Sequence, residues 1–210
     1  SIGGSNTALD FGVYTATGTY IVVGVNAATA CTSNMTGSTT VSVNPLPNTF
    51  NVTGGGNFCP GSGGVHVTQA GSDMGINYQL KLAGVPAGGS LAGSGGSLDF
   101  GPQTVPGAYG ITAVDPTTGC SRDMTGSASV IVNSLPPVHV VSSGGSYCSG
   151  GTGVGITLDG SDLSTTYQLY YGGAPLGAAV PGTGSSLRFG SRTGAGSYTI
   201  VATNTSTTCT

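Results

Sequence analysis

This 210-residue sequence has very little charge. Only 5% of its residues are charged, and they comprise seven Asp, three Arg, one Lys and no Glu. Because nucleic acids are bound by clustered Lys and Arg, this composition argues against a nucleic-acid partner. No apolar run approaches the roughly 20 residues that cross a membrane, so we expect no membrane insertion.

Helix-forming patterns are also lacking. No window free of Gly and Pro carries apolar residues at helical spacing, and the residue types that cover helix surfaces are scarce. Val, Thr, Tyr and Ile instead recur in short alternating runs, such as Leu98 and Phe100 around Asp99. The mean hydropathy of +0.20 argues against disorder. We therefore predict an all-β fold with a packed core.

The sequence repeats itself every 89 residues without a gap. The motif "ALDFG" at 8–12 returns as "SLDFG" at 97–101 and as "SLRFG" at 186–190. Likewise, "MTGSTTVSVNPLP" at 35–47 returns as "MTGSASVIVNSLP" at 124–136. A repeat of this length suits one Ig-sized β-sandwich. We predict tandem Ig-like β-sandwich repeats arranged end to end.

The phase of the repeat divides the chain into three segments. Residues 1–46 match the C-terminal part of a repeat, residues 47–135 form a complete repeat, and residues 136–210 lack the last strand. A sandwich without one of its strands exposes apolar surface and open hydrogen bonds. We therefore expect the protein to continue in both directions, with strand donation between subunits as the alternative. Pro-containing links at 44–47 and 133–137 predict short, stiff joints.

Seven strands are predicted in the complete repeat, separated by turns of Gly, Pro, Asp and Ser. Tyr109 lies near the start of the sixth strand, and Tyr20 and Tyr198 occupy the same place in the other segments. These residues are either the tyrosine corner of an Ig-like sandwich or ordinary half-buried strand residues. The predicted strands cover about 49–54, 64–69, 76–82, 85–91, 97–100, 107–114 and 126–133.

The order of the motifs resembles a known family. Each available repeat contains elements of the series "GGxxC-x-G", "YQL", "L-x-FG", "AGxY", "MTGS" and "VxVN-x-LP". This series is similar to the Ig-like or PKD-like repeats of long cell-surface adhesins and extracellular filaments of Bacteroidetes, and the resemblance covers the whole chain. It implies secretion across the outer membrane, display as an extended filament on the cell surface, and a role in adhesion or gliding.

The five cysteines belong to two periodic sets, each with a spacing of 89 residues. Two cysteines per repeat in a secreted-looking β protein predict disulfides rather than zinc, which usually needs four close Cys or His ligands. One set comprises Cys31, Cys120 and Cys209, and the other Cys59 and Cys148.

The strand order limits which cysteines can pair. Cys59 precedes the second predicted strand and Cys120 follows the sixth, so the two lie at opposite poles of one sandwich. A seven-residue strand spans about 23 Å, whereas bridged Cα atoms lie within about 7 Å. A head-to-tail array places Cys59 beside Cys209, and we favour this pair, with partners for Cys31 and Cys148 outside the chain. The pairs Cys59–Cys120 and Cys148–Cys209 remain the alternative.

No catalytic, metal or cofactor site is predicted. A Ser–His–Asp site has to use His66, which alternates with Val65 and Val67 on a strand, or His139, which follows a proline joint. Neither histidine recurs in the repeat, and the Asp residues are too scattered for a calcium site. We expect both histidines to lie on the surface and the protein not to be an enzyme.

The predicted function is a structural repeat segment of an extracellular filament or adhesin stalk at the cell surface. Neighbouring repeats or further copies of the chain are the expected partners, together with surface glycans. Asn34, Asn51 and Asn204 lie in N-x-S/T sequons and are candidates for glycosylation. The alternatives are a glycan- or protein-binding module, for which Tyr170 and Tyr171 are the clustered aromatics, and an accessory domain of a secreted hydrolase.

Overall fold

The computed structural model describes residues 1–210 and consists of β-strands without any helix. This confirms the predicted all-β class. The physical reason is local, because β-branched and aromatic residues favour the extended backbone and Gly or Pro interrupts each longer run. The strands form several sheets, and their arrangement is consistent with a β-sandwich.

The N-terminal segment, residues 1–46, has paired strands but no buried core. Its strands are β1 (Gly18–Tyr20), β2 (Val23–Val25), β3 (Thr32–Asn34) and β4 (Thr39–Val41). Strand β1 pairs with β4 and β2 pairs with β3, both antiparallel. None of its residues is buried, and its exposed apolar side chains include Phe11, Tyr14 and Met35. Such a sheet face needs a covering layer to be stable.

The central segment, residues 47–135, consists of nine strands in two sheets. They are β5 (Val52–Gly54), β6 (Gly56–Phe58), β7 (Val65–Gln69), β8 (Asn77–Leu82), β9 (Val85–Ala92), β10 (Leu98–Gln103), β11 (Gly107–Val114), β12 (Ser121–Asp123) and β13 (Ala128–Val132). One sheet has the order β10-β7-β5. The other has the order β6-β13-β11-β8-β9, with β12 also beside β11.

The two sheets of the central segment share one apolar core. Alternate residues of facing strands point inward, which is the two-residue period that the sequence predicts. The small sheet contributes residues such as Val67, and the large sheet residues such as Leu80 and Ile111. The 12 buried residues are Val52, Phe58, Val67, Tyr78, Leu80, Leu98, Tyr109, Ile111, Ala113, Met124, Ala128 and Val130.

The structure differs from the prediction at the first strand of the central segment. Each of the seven predicted strands overlaps an observed one, but the first is followed by a separate strand, β6, in the other sheet. The chain changes sheets at Gly54 and Gly55, whose φ angles of 89° and 75° are left-handed. A Cβ on Gly55 would lie 2.4 Å from the Ser129 carbonyl oxygen. Glycine is therefore required for both the turn and the close approach.

The C-terminal segment, residues 136–210, repeats most of this architecture with a smaller core. Its strands are β14 (Val141–Ser143), β15 (Val154–Leu158), β16 (Thr165–Tyr171), β17 (Ala174–Pro175), β18 (Val180–Pro181), β19 (Leu187–Arg192) and β20 (Tyr198–Asn204). One sheet has the order β14-β15-β19, and in the other β16 pairs with β17, β18 and β20. The six buried core residues are Ile156, Leu158, Tyr167, Leu169, Leu187 and Phe189.

The pairing of β20 with β16 has the same register as the pairing of β11 with β8, shifted by the 89-residue spacing of the sequence motifs. Ile111 faces Leu80 across β11 and β8, and Ile200 faces Leu169 across β20 and β16. Each residue of the second pair lies 89 positions after its counterpart. The same local sequences therefore form this pairing in both segments.

All three tyrosines at the predicted corner position make the same hydrogen bond. The hydroxyl of Tyr109 donates to the Val105 carbonyl oxygen at 2.9 Å, and Tyr20 and Tyr198 make the equivalent bond four residues back, also at 2.9 Å. This is the bond of a tyrosine corner. Burial raises the pKa of Tyr109 above its ordinary value of 10.0.

Candidate functional site: the disulfide-linked junction

A disulfide joins the central segment to the C-terminal segment. Cys59 and Cys209 are bonded across 150 residues of sequence, with their Cα atoms 5.4 Å apart. Cys209 is almost completely buried, at 1% exposure. Cys59 begins a turn in which the Ser62 amide donates to the Cys59 carbonyl oxygen at 3.0 Å. The bond is the pair that the strand order favours, and it forms between segments rather than within one.

The hairpin that carries Cys209 is held by an asparagine. The Asn204 side-chain oxygen accepts from the amides of Ser206 at 2.9 Å and Thr207 at 3.1 Å. The Asn204 amide in turn donates to the Cys209 carbonyl oxygen at 2.9 Å. Asn and Asp favour such turns because their short side chains reach the backbone two residues later. The cysteine is thus presented by a hydrogen-bonded turn.

The same hairpin occurs before the other two cysteines of this set. The Asp115 carboxylate accepts from the Thr117 amide at 2.8 Å, and the Asn26 side-chain oxygen accepts from the Ala28 amide at 3.0 Å. Hydrogen bonding to the Thr117 amide holds the pKa of Asp115 below its usual 3.8. This turn was not predicted, although an Asn or Asp five residues before each of these cysteines is a sequence signal for it.

Three cysteines remain free in the chain. Cys31 and Cys148 are exposed, and Cys120 is half-buried. The alternative pairs Cys59–Cys120 and Cys148–Cys209 are therefore absent from the structure. The reason is topological, because both bonded residues, Cys59 and Cys209, lie where one segment meets the next.

The glycosylation candidates lie in three different settings. Asn34 ends β3 and Asn51 precedes β5, and both are exposed. Asn204 ends β20 and is half-buried, with its side-chain oxygen engaged in the hairpin described above. Asn34 and Asn51 are thus the more accessible of the three sequons.

The two histidines contact aspartates rather than serines. His66 Nδ1 lies 2.8 Å from Asp99 Oδ2 across β7 and β10, with both side chains more than half exposed. The Gly101 amide and His66 together hold the pKa of Asp99 below its usual 3.8. His139 Nε2 lies 3.0 Å from Asp162 Oδ2. The structure contains no group of three His, Cys, Asp or Glu side chains arranged to hold a metal ion.

The paired aromatics Tyr170 and Tyr171 do not form a common binding surface. Tyr170 is half-buried. Tyr171 stacks on Tyr198 with ring centroids 4.8 Å apart, and its hydroxyl donates to the Ala195 carbonyl oxygen at 2.9 Å. The Tyr171 ring therefore packs within its own segment.

Searches for similar proteins found neither a family model nor a curated protein that matches this chain. No helix in the structure is long and apolar enough to span a membrane.

Proposed function

We propose that the chain is a load-bearing segment of an extracellular filament or adhesin stalk, built from Ig-like repeats of 89 residues arranged end to end. The observation that carries this proposal is the Cys59–Cys209 disulfide between two segments. A covalent bond across a joint transmits tension that the few contacts of a short Pro-containing link bear poorly. The stalk is a mechanical element and its partners are neighbouring repeats or further copies.

The chemistry of the chain supports an extracellular location. Disulfides form and persist in oxidising surroundings such as the cell surface. A chain with only 5% charged residues needs another means of staying soluble, and we propose that glycan on Asn34 and Asn51 supplies polar groups. The resemblance to Bacteroidetes surface repeats agrees with this location.

Immunogold labelling of intact source cells tests the proposal. Antibodies against the 210-residue chain are expected to decorate extended structures outside the cell, with domain centres about 35–45 Å apart as strand length and a short joint dictate. An antibody to a cytoplasmic protein serves as the control for cell lysis. Labelling confined to the cell interior would contradict the proposal.

A further inference from the structure

A cleft opens between the two sheets of the central segment. It has a volume of about 600 Å³ and lies between β9, an edge strand of the larger sheet, and β10, an edge strand of the smaller one. All of its lining residues lie between Leu80 and Tyr109, and the apolar ones include Ala87, Leu91 and Phe100. We call this space the edge cleft.

The equivalent place in the C-terminal segment is filled by a side chain of that segment. Leu176 stands where the central segment has Ala87, and it packs against the core of its own segment. Phe189 is 7% exposed there, whereas the equivalent Phe100 is half-buried at the edge cleft. The chain itself therefore shows that a leucine side chain fits this space between the sheets, and that the central segment has none there.

The rims of the edge cleft offer backbone hydrogen bonds. Strand β9 pairs only with β8, and β10 pairs only with β7, so the outer side of each strand is unpaired. Such edges bind extended polypeptide, because its amides and carbonyls alternate as theirs do. Pro86 in β9 and Pro102 in β10 lack an amide hydrogen, which limits an added strand to a short segment.

The charge at the edge cleft differs from the charge at its counterpart. Asp99 lines the cleft with its side chain 53% exposed, and Arg188 stands at the equivalent position of the C-terminal segment. Hydrogen bonds from the Gly101 amide and from His66 hold the pKa of Asp99 below its usual 3.8. The carboxylate is therefore negative at neutral pH, and it attracts a base and repels an acid.

We propose that the edge cleft binds a short extended segment of a partner protein that presents a leucine-sized aliphatic side chain beside a lysine or arginine. The aliphatic side chain takes the place that Leu176 takes in the C-terminal segment, and burial of its apolar surface stabilises the complex. The backbone of the segment pairs with a free strand edge, and its base lies near Asp99. This inference goes beyond the filament function and does not depend on it.

The chain does not itself present such a segment. The apolar residues next to Lys81 and Arg188 pack in the cores of their own segments. Arg122 and Arg192 have no apolar neighbour in the sequence. The partner is therefore a different protein rather than a second copy of this chain.

NMR titration of the ¹⁵N-labelled chain with synthetic peptides tests this inference. The probe is acetyl-Thr-Lys-Leu-Thr-amide, and two matched peptides replace its Leu by Ala or its Lys by Glu. We expect the probe to shift the amide signals of residues 87–91 and 99–103, with a dissociation constant of roughly 1 mM. The Ala peptide should bind about tenfold more weakly, because it buries less apolar surface. The Glu peptide should bind about two- to fivefold more weakly, since ion pairs with an exposed carboxylate are modest.

Two variants of the chain take residues from the C-terminal segment, where a folded repeat already contains them. Ala87→Leu fills the edge cleft and is expected to weaken binding of the probe roughly tenfold or more. Asp99→Arg is expected to reverse the charge preference, so that the Glu peptide binds better than the probe. Ala108→Leu is the matched control, because Ala108 is exposed on β11 outside the cleft lining.

Four results would overturn the inference. They are unshifted signals at millimolar probe, equal binding of the probe and the Ala peptide, equal weakening by Ala87→Leu and Ala108→Leu, and self-association without peptide that Ala87→Leu abolishes. The last result assigns the edge cleft to a second copy of the chain. Circular dichroism checks that the variants keep their β-structure. Comparison of the probe with the Ala peptide uses the unaltered chain, so it decides the question even if a variant fails to fold.

Discussion

Three tyrosine hydroxyls donate to the carbonyl oxygen four residues earlier, but their surroundings differ. The Tyr109 side chain is 1% exposed, whereas Tyr20 and Tyr198 are half-buried. The same hydrogen bond is worth more where water cannot replace it. We therefore expect the tyrosine at this repeated position to contribute more to the free energy of unfolding in the central segment than in the other two.

Tyr109→Phe measures this difference. We expect the variant to lose about 1 kcal/mol of unfolding free energy, because the hydroxyl bond disappears while the ring still fills the core. Tyr198→Phe removes a solvent-exposed bond and is the matched control, with an expected loss below about 0.5 kcal/mol. Urea unfolding followed by circular dichroism provides both values. An equal loss of unfolding free energy in the two variants would show that burial does not decide how much the tyrosine hydroxyl bond contributes to stability.

Among the elements, strands β5 and β6 have a special role because they follow each other directly in the chain but belong to different sheets. Strand β5 pairs antiparallel with β7, and β6 pairs parallel with β13. The change of sheet at Gly54–Gly56 thus links the two layers of the core. A Cβ on Gly54 would meet the backbone of His66, and a Cβ on Gly55 would meet the backbone of Ser129.

Gly55→Ala tests the turn. The new Cβ meets the Ser129 backbone and needs a left-handed φ of 75°, so we expect a loss of roughly 3 kcal/mol from strain and overpacking together. Gly61→Ala is the control, because Gly61 has a φ of 85° but open space around its Cβ position. It should lose only about 1–2 kcal/mol, the cost of the backbone conformation. Thermal or urea unfolding measures both variants. Similar losses of unfolding free energy in Gly55→Ala and Gly61→Ala would contradict a role for the close packing of Gly55 against Ser129.

For the whole molecule, the Cys59–Cys209 bond defines the path of a pulling force. It encloses most of the central segment and nearly all of the C-terminal segment. Tension applied at the two ends of the chain passes through the bond and bypasses the enclosed sheets. Residues 1–58 remain outside this protected loop, and the N-terminal segment among them has no buried core.

Single-molecule pulling from the two termini tests this path. The oxidised chain is expected to extend only through the residues before Cys59. The double variant Cys59→Ser, Cys209→Ser should gain about 500 Å of contour length, since 150 residues extend by roughly 3.3–3.6 Å each. Cys148→Ser removes a free thiol and is the control, with no expected gain. A long extension of the oxidised wild-type chain would rule out load transfer through the bond.

Much of the architecture was predictable because it is encoded locally. The absence of helix follows from scarce Glu, Lys and Arg, and strands such as β8 and β11 follow from alternating apolar residues between turn formers. The repeated Tyr109 position was identified as well, but the sequence left a tyrosine corner and an ordinary strand tyrosine as alternatives, and the hydrogen bond to Val105 decides for the corner. A local pattern specifies which face of a strand is apolar, but it does not specify the partner of a hydroxyl group.

The tertiary structure alone decided the features that depend on distant residues. Strand β6 is only three residues long and without alternation, so its parallel pairing with β13 arises from the packing of the two sheets. The cysteine spacing narrowed the pairing to a few choices, in which Cys59–Cys209 was favoured. The sequence by itself determined the strands, because each strand depends on a pattern of neighbouring residues. It also determined the repeat, because the recurring motifs can be compared directly. The tertiary structure decided the disulfide, because this bond depends on where one segment meets the next.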